Sequence, residues 1–268
     1  MSWDERQRAL LAAMGLRLWL PPQVQAHLDG VPSRPPSPPS GRAGGEAVAS
    51  HLVREPVPVA AGSRPAPETR PRPVGVETMD WPALRDAVAG CTACGLCRGR
   101  RNTVFGVGHE RAHWMIVGEA PGENEDRQGE PFVGSAGQLL DNMLRAVGLS
   151  RAANTADDPA RQVFIANVLK CRPPVNRNPR PEEVAQCVPF LKRQVALVQP
   201  RLILAMGRFA VQALLETDVA IGRLRGQVHR YEGVPVVVTY HPAYLLRNPA
   251  DKARSWDDLC FAREVAAR

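Results

Sequence analysis

No stretch of the sequence reaches the run of about 18 apolar residues that a membrane-spanning helix needs. A secretory leader is missing too. The apolar run from Ala9 to Leu20 is broken by Arg17 and preceded by acidic Asp4 and Glu5, and no small-residue cleavage site follows it. These two absences predict a cytoplasmic protein with no membrane association. Lysine is almost absent, so the basic charge is carried nearly all by arginine, an excess that coding bias alone would also produce. Aromatic residues make up only 5% of the chain, so a single aromatic inside an otherwise polar loop stands out.

Proline, by contrast, is abundant and unevenly placed: half of the 26 prolines fall between Pro21 and Pro73. Residues 3–20 have the spacing of one short amphipathic helix, with Leu10, Leu11, Met14 and Leu18 on a face, closed by Pro21 and Pro22. The Pro-, Ser-, Gly-, Ala- and Arg-rich chain that follows has too little apolar surface to offset its ordering entropy. Three parts are therefore expected: a short helix over 1–20, a disordered linker over 21–78 and a globular domain over 79–268. The first eighty residues hold nine arginines against eight acids, so about six of the net seven positive charges belong to the domain. Such a balance suits a phosphate-bearing partner.

Within that domain Asp80 is placed to cap a helix running through Leu84 and Val88 to Gly90. A buried strand is predicted over 114–118, followed by a long segment with five glycines and one aromatic, Phe132, and then a helix carrying Leu139, Leu140, Met143 and Leu144. Further strands are predicted over 163–169, 202–206 and 236–240. Helices are predicted over 182–198, 209–215 and 255–267, and 228–231 is expected to form either a hairpin with the last strand or part of a loop before it. Strands alternating with helices predict an α/β fold with a mainly parallel sheet and helices on both faces. Loops at the carboxyl ends of parallel strands are where such sheets bind ligands, which singles out 118–134 and the proline-rich 171–181.

Six cysteines in a chain expected to be cytoplasmic suggest ligands or free thiols rather than disulfides. Cys91 and Cys94 have a metal-ligand spacing, and Cys171 and Cys187 flank a loop able to fold back. Four thiolates suit Zn²⁺ or an iron–sulfur cluster, and spacing does not choose between them. Cys94 and Cys97 form a second pair of the same spacing. Cys260, in the last helix, reads as a buried apolar residue.

Three long motifs, GEAPGENEDRQGEPFVGSAGQLL from Gly118, ANVLKCRPPVNRNP from Ala166 and HPAYLLRNP from His241, occur with CTAC before them and Cys187 after the second. Together they closely resemble the iron–sulfur uracil-DNA glycosylases known as family 4, over residues 80–268. The resemblance implies a three-layer α/β/α sandwich around a four-stranded, mainly parallel sheet. It also implies a structural [4Fe–4S] cluster on Cys91, Cys94, Cys171 and Cys187, with Cys97 left out. The activity implied is hydrolysis of the N-glycosidic bond of a flipped-out deoxyuridine in DNA, the first step of base excision repair, by a monomer. The amino-terminal helix then reads either as a frayed appendage or as a docking peptide for a repair or replication protein.

That chemistry needs a flat stacking wall, an amide to read the uracil edge, and donors aimed at the charge that develops on the departing base. Phe132 is the expected wall. Asn167, interrupting an apolar run near the end of the second strand, offers both donor and acceptor to O4 and N3–H. His241 matches the family histidine at O2 and is expected to act as a neutral donor. Glu119 and Asn176 are expected to hold the attacking water, since Ala120 stands where better-known uracil glycosylases carry an aspartate. Backbone at Ala120 and Pro121 is expected to touch uracil. Glu125 and Asp126 match acidic positions of the family motif but read equally well as helix-capping or loop-bracing residues. DNA contacts are expected from Arg172, Arg177, Arg180, Ser135 and Arg247, with Leu245 or Leu246 entering the base stack. A relative that traps uracil-DNA through a histidine after the second strand is disfavoured, because 171–187 contains no histidine. A non-catalytic DNA-binding or polymerase-associated module is the alternative of another class. The intact set Glu119, Phe132, Asn167 and His241 argues against it.

Overall fold

Four unbroken apolar runs form the centre of the computed structural model, which describes residues 71–152 and 158–268. They are β2 (Trp114–Gly118), β3 (Val163–Asn167), β4 (Leu202–Met206) and β6 (Val234–Thr239), all mutually parallel. Two antiparallel edge strands extend them, β1 (Val107–Gly108) beside β3 and β5 (Val228–Tyr231) beside β6. The sheet order is β1-β3-β2-β4-β6-β5, six strands where four were expected. The parallel four agree with the expectation. The two-residue β1 is too short to show a strand period in sequence, and β5 joins β6 through the turn Glu232–Gly233, where both residues have positive φ.

Alternate side chains of each central strand enter two separate cores. On one face Trp114, Ile116, Ile165, Leu204 and Val237 pack against α3 (Ser135–Ala146), α7 (Pro242–Arg247) and α8 (Lys252–Ala266). On the other Met115, Val117, Phe164, Ile203 and Val236 pack against α4 (Pro181–Val198) and α5 (Arg208–Leu215). The sandwich follows from strands apolar on both sides: each face must be covered, and each fully buried Leu, Val or Phe contributes about 1.5–3 kcal/mol. A short helix, α6 (Ile221–Leu224), precedes β5. The first helix, α1 (Trp81–Ala89), starts where predicted, with the Asp80 carboxylate accepting from the Ala83 amide at 2.9 Å.

Two local expectations change. The segment between β2 and α3 is not an open loop but contains a helix, α2 (Glu123–Gln128), entered at Gly122 and left at Gly129. Val76, inside the expected linker, is buried against Val88 and Phe190, so packed chain begins a few residues before 79. The expected helix over 3–20, its proposed docking role and the linker up to residue 70 lie outside the described residues. Among the described residues no helix is long and apolar enough to cross a membrane.

Candidate active site at the carboxyl ends of the parallel strands

Gly118 ends β2 and faces Asn167, the last residue of β3, in register. The pairing runs on past both strands, with Val168 donating to the Gly118 carbonyl and Leu169 to the Glu119 carbonyl, each at 3.0 Å. Asn167 thus leaves the sheet beside Gly118 from a fixed backbone, with Glu119 one residue further on. A Cβ on Gly118 would lie 2.4 Å from Asn167 Oδ1 and 2.6 Å from Cζ of Phe132, so only a glycine lets amide and ring approach this closely. Phe132 is 6% exposed, and its ring lies beside that of His241 at a centroid distance of 5.3 Å and an interplanar angle of 27°. His241 follows β6 as the N-cap of α7 and packs on Gly207 at the end of β4, where an added Cβ would come within 2.9 Å of the His241 Cβ. Ring, amide and imidazole are therefore gathered at one place.

Hydrogen bonding defines the state of the histidine. Its Nδ1 accepts from the Ala243 amide at 3.1 Å, which leaves the proton of the neutral ring on Nε2. Burial, reinforced by the Arg247 charge, pushes its pKa down to about 4, so the ring is neutral at physiological pH. Asn167 Oδ1 is buried with no hydrogen-bond partner among the described residues, an acceptor awaiting a donor. The Glu119 carboxyl is half-buried, and desolvation pushes its pKa up to about 7. It makes no hydrogen bond or ion pair among the described residues.

Residues 130–134 are held by two charged side chains. Glu125 accepts from the amides of Gly122, Val133 and Gly134, and buried Asp126 accepts from those of Arg101 and Asn102. Glu125 thus caps α2 and braces the loop, and Asp126 braces the 101–102 segment, the structural alternative to a motif role. From the other side Arg151 donates to the carbonyls of Pro131 and Phe132. No motif marked Arg151, because it lies beyond α3 and its partners are mostly backbone atoms.

The remaining expected residues are arranged less simply. Asn176 is exposed, and its Oδ1 is taken by Arg172, which also reaches Glu123. Among the described residues no hydrogen bond joins Asn176 to Glu119 or His241. Arg177 is paired with Glu183, whose side chain is only 7% exposed, and so braces the start of α4. Arg180 and Arg247 are exposed, as is Ser135 at the first position of α3. Pro121 is buried, and Ala120 packs against Leu96, Leu169, Cys171 and Cys187. The expectation that Leu245 can enter a base stack is corrected: it is 0% exposed, on the core face of α7, while its neighbour Leu246 is 42% exposed.

Cys91, Cys94, Cys97, Cys171 and Cys187 line one cavity together with Arg100 and Lys170. Burial pushes the Cys171 thiol up to about 11 and the Cys187 thiol up to about 12. Arg100 donates to Cys171 Sγ at 3.0 Å, partly offsetting that penalty. Lys170 is buried and donates at 2.7 Å to both the Asn167 carbonyl and Gln194 Oε1, so the cavity wall and the end of β3 share a side chain. Cys260 lies in α8, away from this cavity.

An open parallel sheet with its polar groups assembled at the carboxyl ends of its strands defines an α/β ligand-binding protein. Residues 105–260, more than half of the chain, match the family model described as the uracil DNA glycosylase superfamily. Similar curated proteins include the type-4 uracil-DNA glycosylase of Pyrobaculum aerophilum, 42% identical over 68% of this chain and 93% of its own length. Those of Archaeoglobus fulgidus and Sulfurisphaera tokodaii are 44% and 40% identical over 60% and 68% of this chain, covering 81% and 83% of their lengths. The chain belongs to the uracil DNA glycosylase superfamily and, within it, to the type-4 uracil-DNA glycosylases.

Proposed function

We propose that this protein excises uracil from DNA by hydrolysing the bond between N1 of an everted uracil and C1′ of its sugar, leaving an abasic site for base excision repair. The observation that carries the reading is the convergence of Phe132, Asn167 and His241 around Gly118. The Phe132 and His241 rings are too close for a base to slide between them, so the imidazole meets the base by its edge while the phenyl ring supplies the face. The unpartnered Asn167 Oδ1 accepts N3–H of uracil, and its amide NH₂ donates to O4. Cytosine lacks that N3 proton and presents donors in place of O4, so the same amide rejects it.

Bond cleavage sends the electron pair to uracil and leaves positive charge on the sugar. The Nε2–H of neutral His241 donates to O2 as negative charge grows there, preorganised by the Ala243 bond. The ionised Glu119 carboxylate faces the sugar and holds the water whose oxygen joins C1′, that water's proton passing to solvent or to Glu119. Asn176, the second candidate for holding that water, has its Oδ1 accepting from Arg172 at 2.8 Å and its amide NH₂ still able to donate. Leu246 fills the space vacated by the base, and Arg247, Arg180 and Arg172 meet phosphates. Backbone at Ala120 and Pro121 borders the base.

The cysteine-lined cavity fits a [4Fe–4S] cluster held by Cys91, Cys94, Cys171 and Cys187. Buried thiols with strongly raised pKa values are the groups that metal coordination would relieve, and Arg100 already serves a sulfur lone pair. The cluster is structural in this reading and ties the 91–97 segment to the loop that begins at Cys171. The test is incubation with a uracil-containing oligonucleotide followed by alkali. Strand scission at the uracil is the expected result, and intact strand at enzyme excess overturns the reading.

A further inference from the structure

Phe132 occupies backbone space that L side chains rarely adopt, with φ at +56°. Its carbonyl is confined from two sides. A Cβ on Gly137, in the first turn of α3, would lie 1.7 Å from that oxygen, so the helix rests directly against it. Opposite, Arg151 donates through Nη2 to the Phe132 carbonyl at 3.0 Å and through Nη1 to the Pro131 carbonyl at 2.8 Å. The Nε of Arg151 is anchored on Asp141 of α3 at 2.7 Å, and Glu130 lies 3.9 Å from its Nη1. The side chain is only 13% exposed, so these bonds form largely out of water, where a fork of fixed donors is strongest.

We propose that Arg151 is a positioning residue for uracil: it clamps two successive carbonyls so that Phe132 keeps its left-handed backbone and its ring stays over Gly118 beside His241. The inference rests on the uracil-excision reading. A planar guanidinium anchored on α3 is the one group in this arrangement able to hold both carbonyls at once. Lysine offers a compact ammonium without the fixed fork that spans both carbonyls while a third nitrogen stays on Asp141. Without the clamp the strained residue relaxes toward ordinary backbone angles and the ring leaves the line of Asn167 and His241. Arg151 itself bonds the Phe132 backbone and makes no hydrogen bond to Asn167 or His241.

A double-mutant cycle between Arg151→Met and Phe132→Ala tests this, with kcat, KM and inhibition by free uracil measured for each variant. Arg151→Met is expected to lower kcat/KM about tenfold and to weaken uracil inhibition by a similar factor, equivalent to about 1.4 kcal/mol. Adding it to Phe132→Ala is expected to cost little more, because the ring it positions has already gone. Millimolar guanidinium is expected to restore part of the activity of Arg151→Gly, but none in the Arg151→Gly, Phe132→Ala double variant. Fully additive losses, or wild-type constants in Arg151→Met, overturn the inference. A wild-type protein that releases no uracil overturns the underlying function instead. Should Arg151→Met fail to fold, Arg151→Lys enters the same cycle with an intermediate loss expected.

Discussion

The amide oxygen of Asn167 and the ring edge of Phe132 meet over Gly118, at a distance that leaves no room for a methyl group. Atoms 2.4 and 2.6 Å from a new Cβ must move, and both belong to the groups assigned to uracil. Gly118→Ala is therefore expected to displace the ring or the amide by several tenths of an ångström. Misplacement on an ångström scale costs about a hundredfold in rate. A fall of at least about tenfold in kcat/KM, with the protein still folded, is the expected outcome; unchanged kinetics would show that the slot tolerates a wider wall.

Asn167 separates function from stability. Its Oδ1 is a buried acceptor without a partner, and such a group costs the folded state about 1–3 kcal/mol. Asn167→Ala removes that cost along with the readout of O4 and N3–H. Most excision activity should be lost while the melting temperature stays level or rises. A variant of full activity would falsify the readout role, and a large drop in melting temperature would instead assign the amide to structure.

The pH profile distinguishes the two titrating groups. Glu119, raised from 4.5 to about 7, is ionised only as pH rises through neutrality, so the rate should climb with a midpoint near 7. His241, lowered from 6.5 to about 4, is already neutral across that range and adds no limb there. Glu119→Gln should be slow at every pH and lose the limb. Stability follows linkage in opposite directions. Between 4.5 and 7 folded Glu119 keeps a proton that the unfolded chain releases, so its contribution falls as pH rises. Between 6.5 and 4 the unfolded histidine gains a proton that the folded one refuses, so its contribution falls as pH falls.

Residues whose roles depend on local sequence were the ones that could be read before the fold was known. Phe132 stood out as the single aromatic of its loop, Asn167 as a polar break in an apolar strand, and His241 by its place after the last strand and its motif. Arg177 and Leu245 show where that reading fails. A loop arginine looks free in sequence, yet its partner Glu183 arrives only when α4 folds back beside it. Leu245 and Leu246 are adjacent and chemically alike, and the rotation of one helical residue sends the first into the core and the second to solvent. Arg151 was out of reach for a related reason: its bonds are chiefly to carbonyls, which leave no side-chain signature.

The five cysteines around one cavity make a prediction about assembly. Protein purified without oxygen should be brown, with the broad visible absorbance of a [4Fe–4S] cluster, and Cys97→Ser should keep it. Replacing Cys171 or Cys187 should bleach it and lower stability, since the metal-binding energy that ties the 91–97 segment to the loop after β3 is lost. Colourless protein carrying stoichiometric zinc would replace the cluster assignment.

The leucine pair supplies the sharpest contrast between neighbours. Leu246 is 42% exposed beside the exposed Arg247, whereas Leu245 fills the core between α7 and the sheet. Leu246→Ala should therefore leave the melting temperature unchanged while slowing excision from duplex DNA, where a flipped base leaves a gap to fill. Excision from single strands, where no gap forms, should be nearly unaffected. Leu245→Ala should do the opposite, costing about 2–5 kcal/mol of stability through the cavity it opens. It should slow both substrates alike, because α7 also carries the backbone amide that orients His241. Equal losses on both substrates from Leu246→Ala would remove it as the wedge and shift duplex opening to the arginine-rich loop after Cys171.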